Sequence, residues 1–330
     1  MRLLVTGGCG FIGNNFIRYW LANHPRDYVT NIDALTYAGH LTSTRDFRKS
    51  PRYHFALGNI LNAGLVNRLA SQTDVIVHFA AQSHVDRSIL SPQSFVRTNV
   101  LGTQVILEAA LKARVKRFHH VSTDEVFGAL PLASRVKFTE STTYSPRSPY
   151  AASKAGSDHL VMAYFYTFKL PVSLSNSANN YGPYQDPEKF IPRMITNLLL
   201  GQKIPIYGDG KYVRDWLHVV DHCRAIESII LKGRPGETYC VGSSQPAEFN
   251  NLQIARMILT IFGRDQSFLE FVKDRPGHDR RYALSSRKIF NELKWQPVYR
   301  LADGLAQTIA WYRENSWWWR RLKTRAESIY

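Results

Sequence analysis

Two pairs of side chains in this sequence have the types and spacing to move protons. Tyr150 and Lys154 lie four residues apart in a stretch with helical spacing, which puts both on one face. A tyrosine with an ordinary pKa of about 10 is a poor base at neutral pH, and a neighbouring ammonium favours its phenolate. The second pair is Asp124-Glu125, directly after Ser122-Thr123. Two carboxyls whose environments set their pKa values apart can supply an acid and a base to one reaction. Thr123, Asp124, Glu125, Tyr150 and Lys154 are the candidate catalytic residues. Either pair alone has a bland alternative, a surface helix or a solvated loop, so the elements that position them decide.

Those elements begin at the N-terminus. Arg2 to Thr6 is a short apolar run with β propensity that breaks into Gly7, Gly10 and Gly13, after which helical spacing runs from Phe11 to Leu21. In such a strand, turn and helix, the first glycine permits the turn and the second lets the backbone approach a diphosphate. The third lets the helix sit close to the strand. The N–H groups that open the helix hold the pyrophosphate. A second strand, Tyr28 to Ile32, ends in Asp33, twenty positions beyond Gly13, where a dinucleotide fold needs a carboxylate for the adenosine ribose hydroxyls. An acid there favours NAD, since it would repel the 2′-phosphate of NADP. The nicotinamide cation would then join Lys154 in favouring the Tyr150 phenolate.

Further strands follow at Tyr53 to Leu57, Asp74 to Phe79, Arg117 to Val121 and Val172 to Ser177. The run to Phe79 is apolar almost throughout, as in a parallel sheet buried on both faces. Ser94 to Lys112 and Tyr150 to Lys169 carry helical spacing. This alternation predicts an α/β fold with a Rossmann-type doubly wound parallel sheet, whose ligands bind at the carboxyl ends of the strands. Gly7 to Gly13, Asp33, Asn59, Ala80 to Ser83 and Ser122 to Glu125 all fall at such ends and should converge on one crevice, with Asn59 at the adenine edge. Beyond Val172 to Ser177 the elements shorten and are separated by Gly and Pro. The expected division is a dinucleotide-binding domain over 1–178 and, over 179–330, mainly a smaller C-terminal α/β substrate-binding lobe, with some segments returning to the first domain. Basic residues recur singly in that lobe at Lys189, Arg193, Arg214, Arg275, Arg280 and Arg281, several beside turns, and suit a second diphosphate carried by a substrate.

The composition agrees with a globular enzyme. The 330 residues are 44% hydrophobic and 21% charged, enough for a substantial core, and no stretch reaches the about 20 apolar residues that span a bilayer. With a first apolar run too short for a signal peptide, the expected location is the cytoplasm. Three cysteines at wide spacing, Cys9, Cys223 and Cys240, argue against a disulfide framework or a zinc site, and no metal is expected. The net charge of +16 allows nucleic acid, a membrane surface or a small polyanion as partner. No helix-turn-helix signature, zinc finger or RNA-binding aromatic motif is present, which favours the anionic substrate. The aromatic and then basic tail from Trp311 through Trp317-Trp318-Trp319 reads as the packing of a final helix rather than membrane contact.

The motifs together resemble a family. Thr-Gly-x-x-Gly-x-x-Gly with Tyr-x-x-x-Lys is similar to the extended short-chain dehydrogenase/reductases that act on nucleotide sugars. Asp33-Ala-Leu-Thr-Tyr-Ala-Gly39, Ser83-His-Val-Asp-Arg-Ser88, Ser122-Thr-Asp-Glu-Val-Phe-Gly128 and Asn179-Asn-Tyr-Gly-Pro-Tyr184 resemble the dTDP-glucose 4,6-dehydratases. So do Pro187-Glu-Lys-Phe-Ile-Pro192, Arg214-Asp-Trp216 and Asp274-Arg-Pro-Gly-His-Asp-Arg-Arg-Tyr282, in the family's order, from residue 1 to about Arg313.

The resemblance implies NAD as cofactor, a nucleotide-sugar substrate and a lyase without net redox. Tyr150 takes the C4 hydroxyl proton, Glu125 the C5 proton, and Asp124 protonates the leaving C6 hydroxyl. It implies cofactor contacts at Phe11 and Ile12, at Asp33, Ala34, Leu35 and Thr36, and at Asn59 and Ile60. Further ones fall at Phe79, Ala80, Ala81 and Ser83, and at Thr98, Tyr150, Lys154 and Asn180. Substrate contacts are implied at Ser83, Thr123, Asn179, Lys189 and Phe190, then at Pro205, Ile206, Tyr207, Arg214 and Asn251, and finally at Asp274, Arg275, Pro276, Gly277 and His278. It implies a homodimer through the two helices Ser94 to Lys112 and Tyr150 to Lys169, the second carrying Leu160, Val161, Ala163, Tyr164 and Phe168 toward a four-helix interface. Asn59 and Gln82 stand where the family usually has acids, and nucleotide choice among dTDP, UDP and CDP stays open. A 4-epimerase or a related decarboxylase needs only the Tyr/Lys pair and a Ser/Thr; the acid pair 124–125 argues for elimination of water. A catalytically idle, nucleic-acid-binding protein would have no physical need for all five residues.

Overall fold

The computed structural model describes residues 1–244, 248–274 and 279–327. Its first strands are β1 (Arg2–Thr6), β2 (Tyr28–Asp33), β3 (Tyr53–Leu57), β4 (Val75–His78), β5 (Arg117–Thr123) and β6 (Val172–Ser177). After them come β7 (Asn179–Tyr181), β8 (Ile204–Tyr207), β9 (Val213–Arg214), β10 (Trp216–His218), β11 (Glu237–Val241), β12 (Phe249–Asn250) and β13 (Leu269–Val272). Seven of these form one parallel sheet in the order β11-β6-β5-β4-β1-β2-β3. The chain order reverses between β1 and β4, and a crevice opens at that switch point.

The helices are α1 (Phe11–Asn23), α2 (Ala63–Ala70), α3 (Val85–Leu90), α4 (Pro92–Phe95), α5 (Gly102–Ala113) and α6 (Pro149–Phe168). They continue with α7 (Phe190–Leu199), α8 (Val219–Lys232), α9 (Asn251–Phe262), α10 (Arg287–Leu293), α11 (Leu301–Glu314) and α12 (Ser316–Glu327). Phe16 and Trp20 of α1 pack with Cys223 and Ile226 of α8 over one face of the sheet. Val66 of α2, Ile106 and Leu107 of α5, and Val161 and Tyr164 of α6 cover the other. With both faces covered, β4 is buried at every position and shows no alternation. Thus α8 and β11, although late in the chain, belong to the body built by the first half.

A separate core joins α7, β8, α9 and α11, and the aromatic tail enters it: Trp318 and Trp319 are buried. Trp319 Nε1 donates to the Tyr312 carbonyl at 2.7 Å, and Trp318 Nε1 donates to Ser43 Oγ at 3.0 Å. Trp317 stays exposed. Among the described residues no helix is long and apolar enough to cross a membrane.

One predicted helix is interrupted. Between α4 and α5 the turns of Val96–Leu101 widen to a π-helix. There Asn99 clamps the loop after β4: its Oδ1 accepts from Gln82 N at 2.8 Å and its Nδ2 donates to the Gln82 carbonyl at 3.0 Å. Apolar periodicity does not register this, because it carries no information on the polar contacts of Asn99.

Candidate active site

β1 delivers Gly7 to the switch point with φ +72°, and a Cβ there would lie 2.8 Å from the Ala80 backbone. A Cβ on Gly13 would meet the Gly7 carbonyl oxygen and lie 2.9 Å from Gly8 Cα, so α1 is too close to β1 for any side chain. Gly10 differs. The chain leaves a Cβ there 3.3 Å from the nearest atom, and the residue faces a cavity of about 360 Å³. No side chain caps α1, whose first N–H groups are therefore available to an anion. Asp33 lies at the far wall, accepting from Cys9 N and Leu35 N at 2.8 Å each. Burial raises its pKa and these two N–H groups oppose the rise. Each carboxylate oxygen keeps a lone pair for a further donor. The open helix end, the glycine cradle and the carboxylate fit a dinucleotide's diphosphate and ribose.

The same cavity is lined by Phe11 and Ile12, by Ala34 and Thr36, by Asn59 and Ile60, by Phe79, Ala80, Ala81 and Ser83, and by Thr98 and Asn180. Leu35 does not line it. Its backbone is left-handed (φ +51°), its N–H serves Asp33, and the neighbours Ala34 and Thr36 face the cavity instead.

Thr123, Asp124, Glu125, Tyr150 and Lys154 meet at the inner end of the cavity. Thr123 ends β5 and caps the short 3₁₀ turn Asp124–Phe127, its Oγ1 accepting from Glu125 N at 3.3 Å. That turn sends the two carboxyls different ways. Asp124 is buried, its Oδ2 has no hydrogen-bond partner, and burial, then the Glu125 and Asp215 carboxylates, hold its pKa well above the usual range. Glu125 is partly exposed and faces a second cavity as well. Ser148 accepts from Ala151 N to start α6, with Pro149 in the first turn, which presents Tyr150 to the cleft. Lys154 is buried, and its Nζ donates to the Val121 carbonyl at 2.9 Å and to His120 Nε2 at 3.1 Å.

The depressed Tyr150 pKa expected from the sequence is not supplied by the chain. Burial, followed by the charges of Glu125, Tyr37 and Asp124, pushes the phenol well above its ordinary value, and the Thr123 hydroxyl only partly opposes this. Lys154 is itself drawn down to about 8 by burial. The Lys154 ammonium and a nicotinamide cation favour the phenolate, and desolvation of both side chains opposes it.

The second cavity, about 230 Å³, shares Ser83, Glu125, Tyr150 and Asn179 with the first. Lys189, Phe190, Pro205, Tyr207, Arg214 and Asn251 line it, and Phe190 stacks on Trp216 at 5.8 Å. Asn179 Oδ1 and Asn251 Oδ1 are buried without a hydrogen-bond partner and suit a polar ligand. Ile206 does not reach it: β8 alternates, so Pro205 and Tyr207 face the cavity while Ile204 and Ile206 enter the core. Asp274 also lies off the lining and takes the Tyr212 hydroxyl. Of the scattered basic residues, Lys189, Arg193 and Arg214 line the cavity. Arg280 pairs with Asp209 at 2.9 Å and the buried Arg281 with Glu248 at 2.6 Å, so neither lines it. Arg275, Pro276, Gly277 and His278 lie outside the described residues.

Not anticipated as site residues are His40, Tyr184 and Asp186 in the first cavity, His84 in the second, and Gln185 and Glu188 in both. Glu188, beside the anticipated Lys189, accepts from Arg87 at 3.1 Å. His40 bonds Asp186 at 3.0 Å across 146 positions, a pairing no local pattern signals.

Residues 4–308 match the family model described as GDP-mannose 4,6 dehydratase. The dTDP-glucose 4,6-dehydratase of Mycobacterium tuberculosis is 49% identical over 100% of this chain and 98% of its own, and that of Streptomyces niveus is 46% identical over 99% and 97%. Among solved structures, DesIV, a dTDP-glucose 4,6-dehydratase from Streptomyces venezuelae with NAD and TYD bound, superposes with a TM-score of 0.94 at 49% identity, covering 98% of this chain and 100% of that one. A UDP-glucose 4-epimerase from Thermotoga maritima shares the fold at TM-score 0.88 but only 28% identity, covering 96% and 100%. With 4,6-dehydratases matched at nearly twice the epimerase's identity, and over their whole length, the chain belongs to the dTDP-glucose 4,6-dehydratase family of the NAD-dependent epimerase/dehydratase superfamily.

Proposed function

We propose that this protein is an NAD-dependent lyase that converts dTDP-glucose to its 4-keto-6-deoxy derivative. NAD, which the Gly7–Gly13 turn, the open end of α1 and Asp33 would hold, would supply a hydride acceptor for C4 and a donor for C6. In this reading the nicotinamide cation would join the Lys154 ammonium in drawing Tyr150 down from its raised value, and Tyr150, as phenolate, takes the C4 hydroxyl proton. The resulting ketone acidifies C5, Glu125 removes that proton, and Asp124 gives its own to the departing C6 hydroxyl. C5 is reprotonated last. Tyr150 thus ends each cycle protonated and Asp124 ionised, so one proton must pass from the first to the second before the next turnover.

The observation that carries the reading is Asp124, buried with Oδ2 lacking a hydrogen-bond partner and its pKa pushed up by burial, next to the cleft-facing Glu125, an acid and a base an epimerase does not need. Lys189, Arg193 and Arg214 supply charge for the substrate diphosphate, and the Phe190–Trp216 pair an aromatic wall for its base. Incubation of the NAD-loaded protein with dTDP-glucose should yield a 4-keto sugar nucleotide lighter by one water. A hexose of unchanged mass would favour an epimerase. Parallel assays with UDP- and CDP-glucose address the nucleotide preference for dTDP.

The protein acts as a cytoplasmic homodimer in this reading. Val96 and Leu101 of the π-turn are exposed and lie with Val100 and Leu160 around an open apolar depression. Ala163 and Phe168 are exposed on α6, whereas Val161 and Tyr164, expected at the interface, face the sheet. Two copies of this face suit an isologous helical interface.

A further inference from the structure

Behind the Tyr150/Lys154 pair lies a buried polar cluster that the reaction described above does not use. α6 carries Tyr150, Lys154 and Asp158 at four-residue intervals, so all three follow one face of the helix into the sheet. Asp158 is 1% exposed and His120, on β5, is fully buried. His120 Nε2 stands 3.1 Å from Lys154 Nζ, 3.2 Å from Asp158 Oδ1 and 3.2 Å from Ser157 Oγ. One ring nitrogen cannot accept from the ammonium and donate to the carboxylate at once. Proton placement on His120 is therefore tied to the charge of Lys154. The other carboxylate oxygen, Asp158 Oδ2, accepts from Ser122 Oγ at 2.7 Å and from the Tyr144 hydroxyl at 3.0 Å. Such donors favour the ionised carboxylate, which a buried ammonium requires nearby.

We propose that His120 and Asp158 are positioning residues that hold Lys154 as an ammonium behind Tyr150. The inference rests on Tyr150 being the base of the proposed reaction. Among the described residues, titratable groups approach Lys154 from three elements. On α6 they are Tyr150 and Asp158, on β5 His120, and from β4 His78, whose ring centroid is 5.2 Å from that of His120. Tyr144 approaches Asp158 from the segment before α6. Burial keeps His78 and His120 neutral, with pKa values well below the ordinary imidazole. Asp158 is lifted by burial to about 6 and Lys154 lowered to about 8, with Asp158 opposing the lowering. Each charge thus opposes the neutralisation that burial imposes on the other, so losing the carboxylate weakens the hold on the ammonium.

The test uses the NAD-loaded enzyme. Asp158→Asn keeps an acceptor for Ser122 and Tyr144 and removes the charge, so the alkaline limb of kcat should move down by about one pH unit or more while KM stays within about twofold. Lys154 stands a turn closer to Tyr150 than Asp158 does, so losing the ammonium outweighs losing the carboxylate. The phenolate difference spectrum between Asp158→Asn and Asp158→Asn/Tyr150→Phe should accordingly titrate at higher pH than that between the parent and Tyr150→Phe. Tyr144→Phe removes one hydroxyl and should move the acid limb up instead. His120→Gln, which retains an acceptor for Nζ, should keep more of the alkaline limb than His120→Leu. If Asp158→Asn and Tyr144→Phe lower the rate uniformly and move neither limb nor the phenolate titration, the residues are structural and the proposal is wrong. Should Tyr150→Phe instead retain the first absorbance change with substrate, it is the reading of Tyr150 that fails.

Discussion

Asp124 and Glu125 are consecutive residues in opposite environments: the first is buried with one oxygen lacking a hydrogen-bond partner, the second opens onto both cavities. The 3₁₀ turn capped by Thr123 produces this divergence. It is how one dipeptide can present a protonated acid and an available base at the same pH.

Lys154→Met should lower kcat by about 10²–10⁴, the contribution of a positioned proton-transfer group, with KM for dTDP-glucose changed only severalfold. Lys154 has no place in the sugar-nucleotide cavity. A steady-state comparison decides this, and a KM-dominated loss would assign Lys154 to binding.

His119 is buried between Ser173 Oγ (3.0 Å) and Ser175 Oγ (3.1 Å), and burial holds its pKa well below 6.5. The unfolded chain therefore binds a proton at this residue that the native state does not, and its stabilising contribution, complete above about 6.5, is lost as the pH falls. Relative to His119→Gln, the parent should lose up to about 1.4 kcal/mol more per pH unit below that value in urea unfolding. Parallel stability curves for the two proteins would contradict it.

Trp318 bonds Ser43 and, edge-on at 6.0 Å, meets the ring of His40, which lines the cofactor cavity. Trp318→Ala should cost about 3–5 kcal/mol in denaturant titration, as a deleted core aromatic does, and should weaken NAD retention on gel filtration. An unchanged midpoint would mean that the tail is an ornament on the surface.

Leu101→Glu places a charge in the exposed apolar face of the π-turn. Sedimentation of the parent at micromolar concentration should give a dimer and that of the variant a monomer. A dimeric variant would move the interface elsewhere.

The sheet was legible because parallel strands buried on both faces read as apolar runs, and the glycine turn because each glycine answers a separate steric demand. β8 was harder: the resemblance carried Ile206 into the site, and strand alternation turns it away. The Asn99–Gln82 clamp, the His40–Asp186 bond and the Asp158–His120–Lys154 cluster were not legible, since each has a polar side chain meeting a distant segment. The same holds for Tyr150. Its neighbours in sequence suggest a lowered pKa, while its burial and the facing carboxylates raise it.

The most direct test of elimination through residues 124 and 125 follows hydrogen at C5 in single turnovers of the NAD-loaded enzyme with dTDP-glucose in deuterated solvent. Both Glu125→Gln and Asp124→Asn should still develop the absorbance of reduced cofactor, because neither acid is needed to oxidise C4. Glu125→Gln should then stop, with no deuterium at C5 and the absorbance persisting. Asp124→Asn should proceed, slowed by about 10²–10⁴. Normal C5 exchange in Glu125→Gln, or wild-type turnover by either variant, would contradict the assignment.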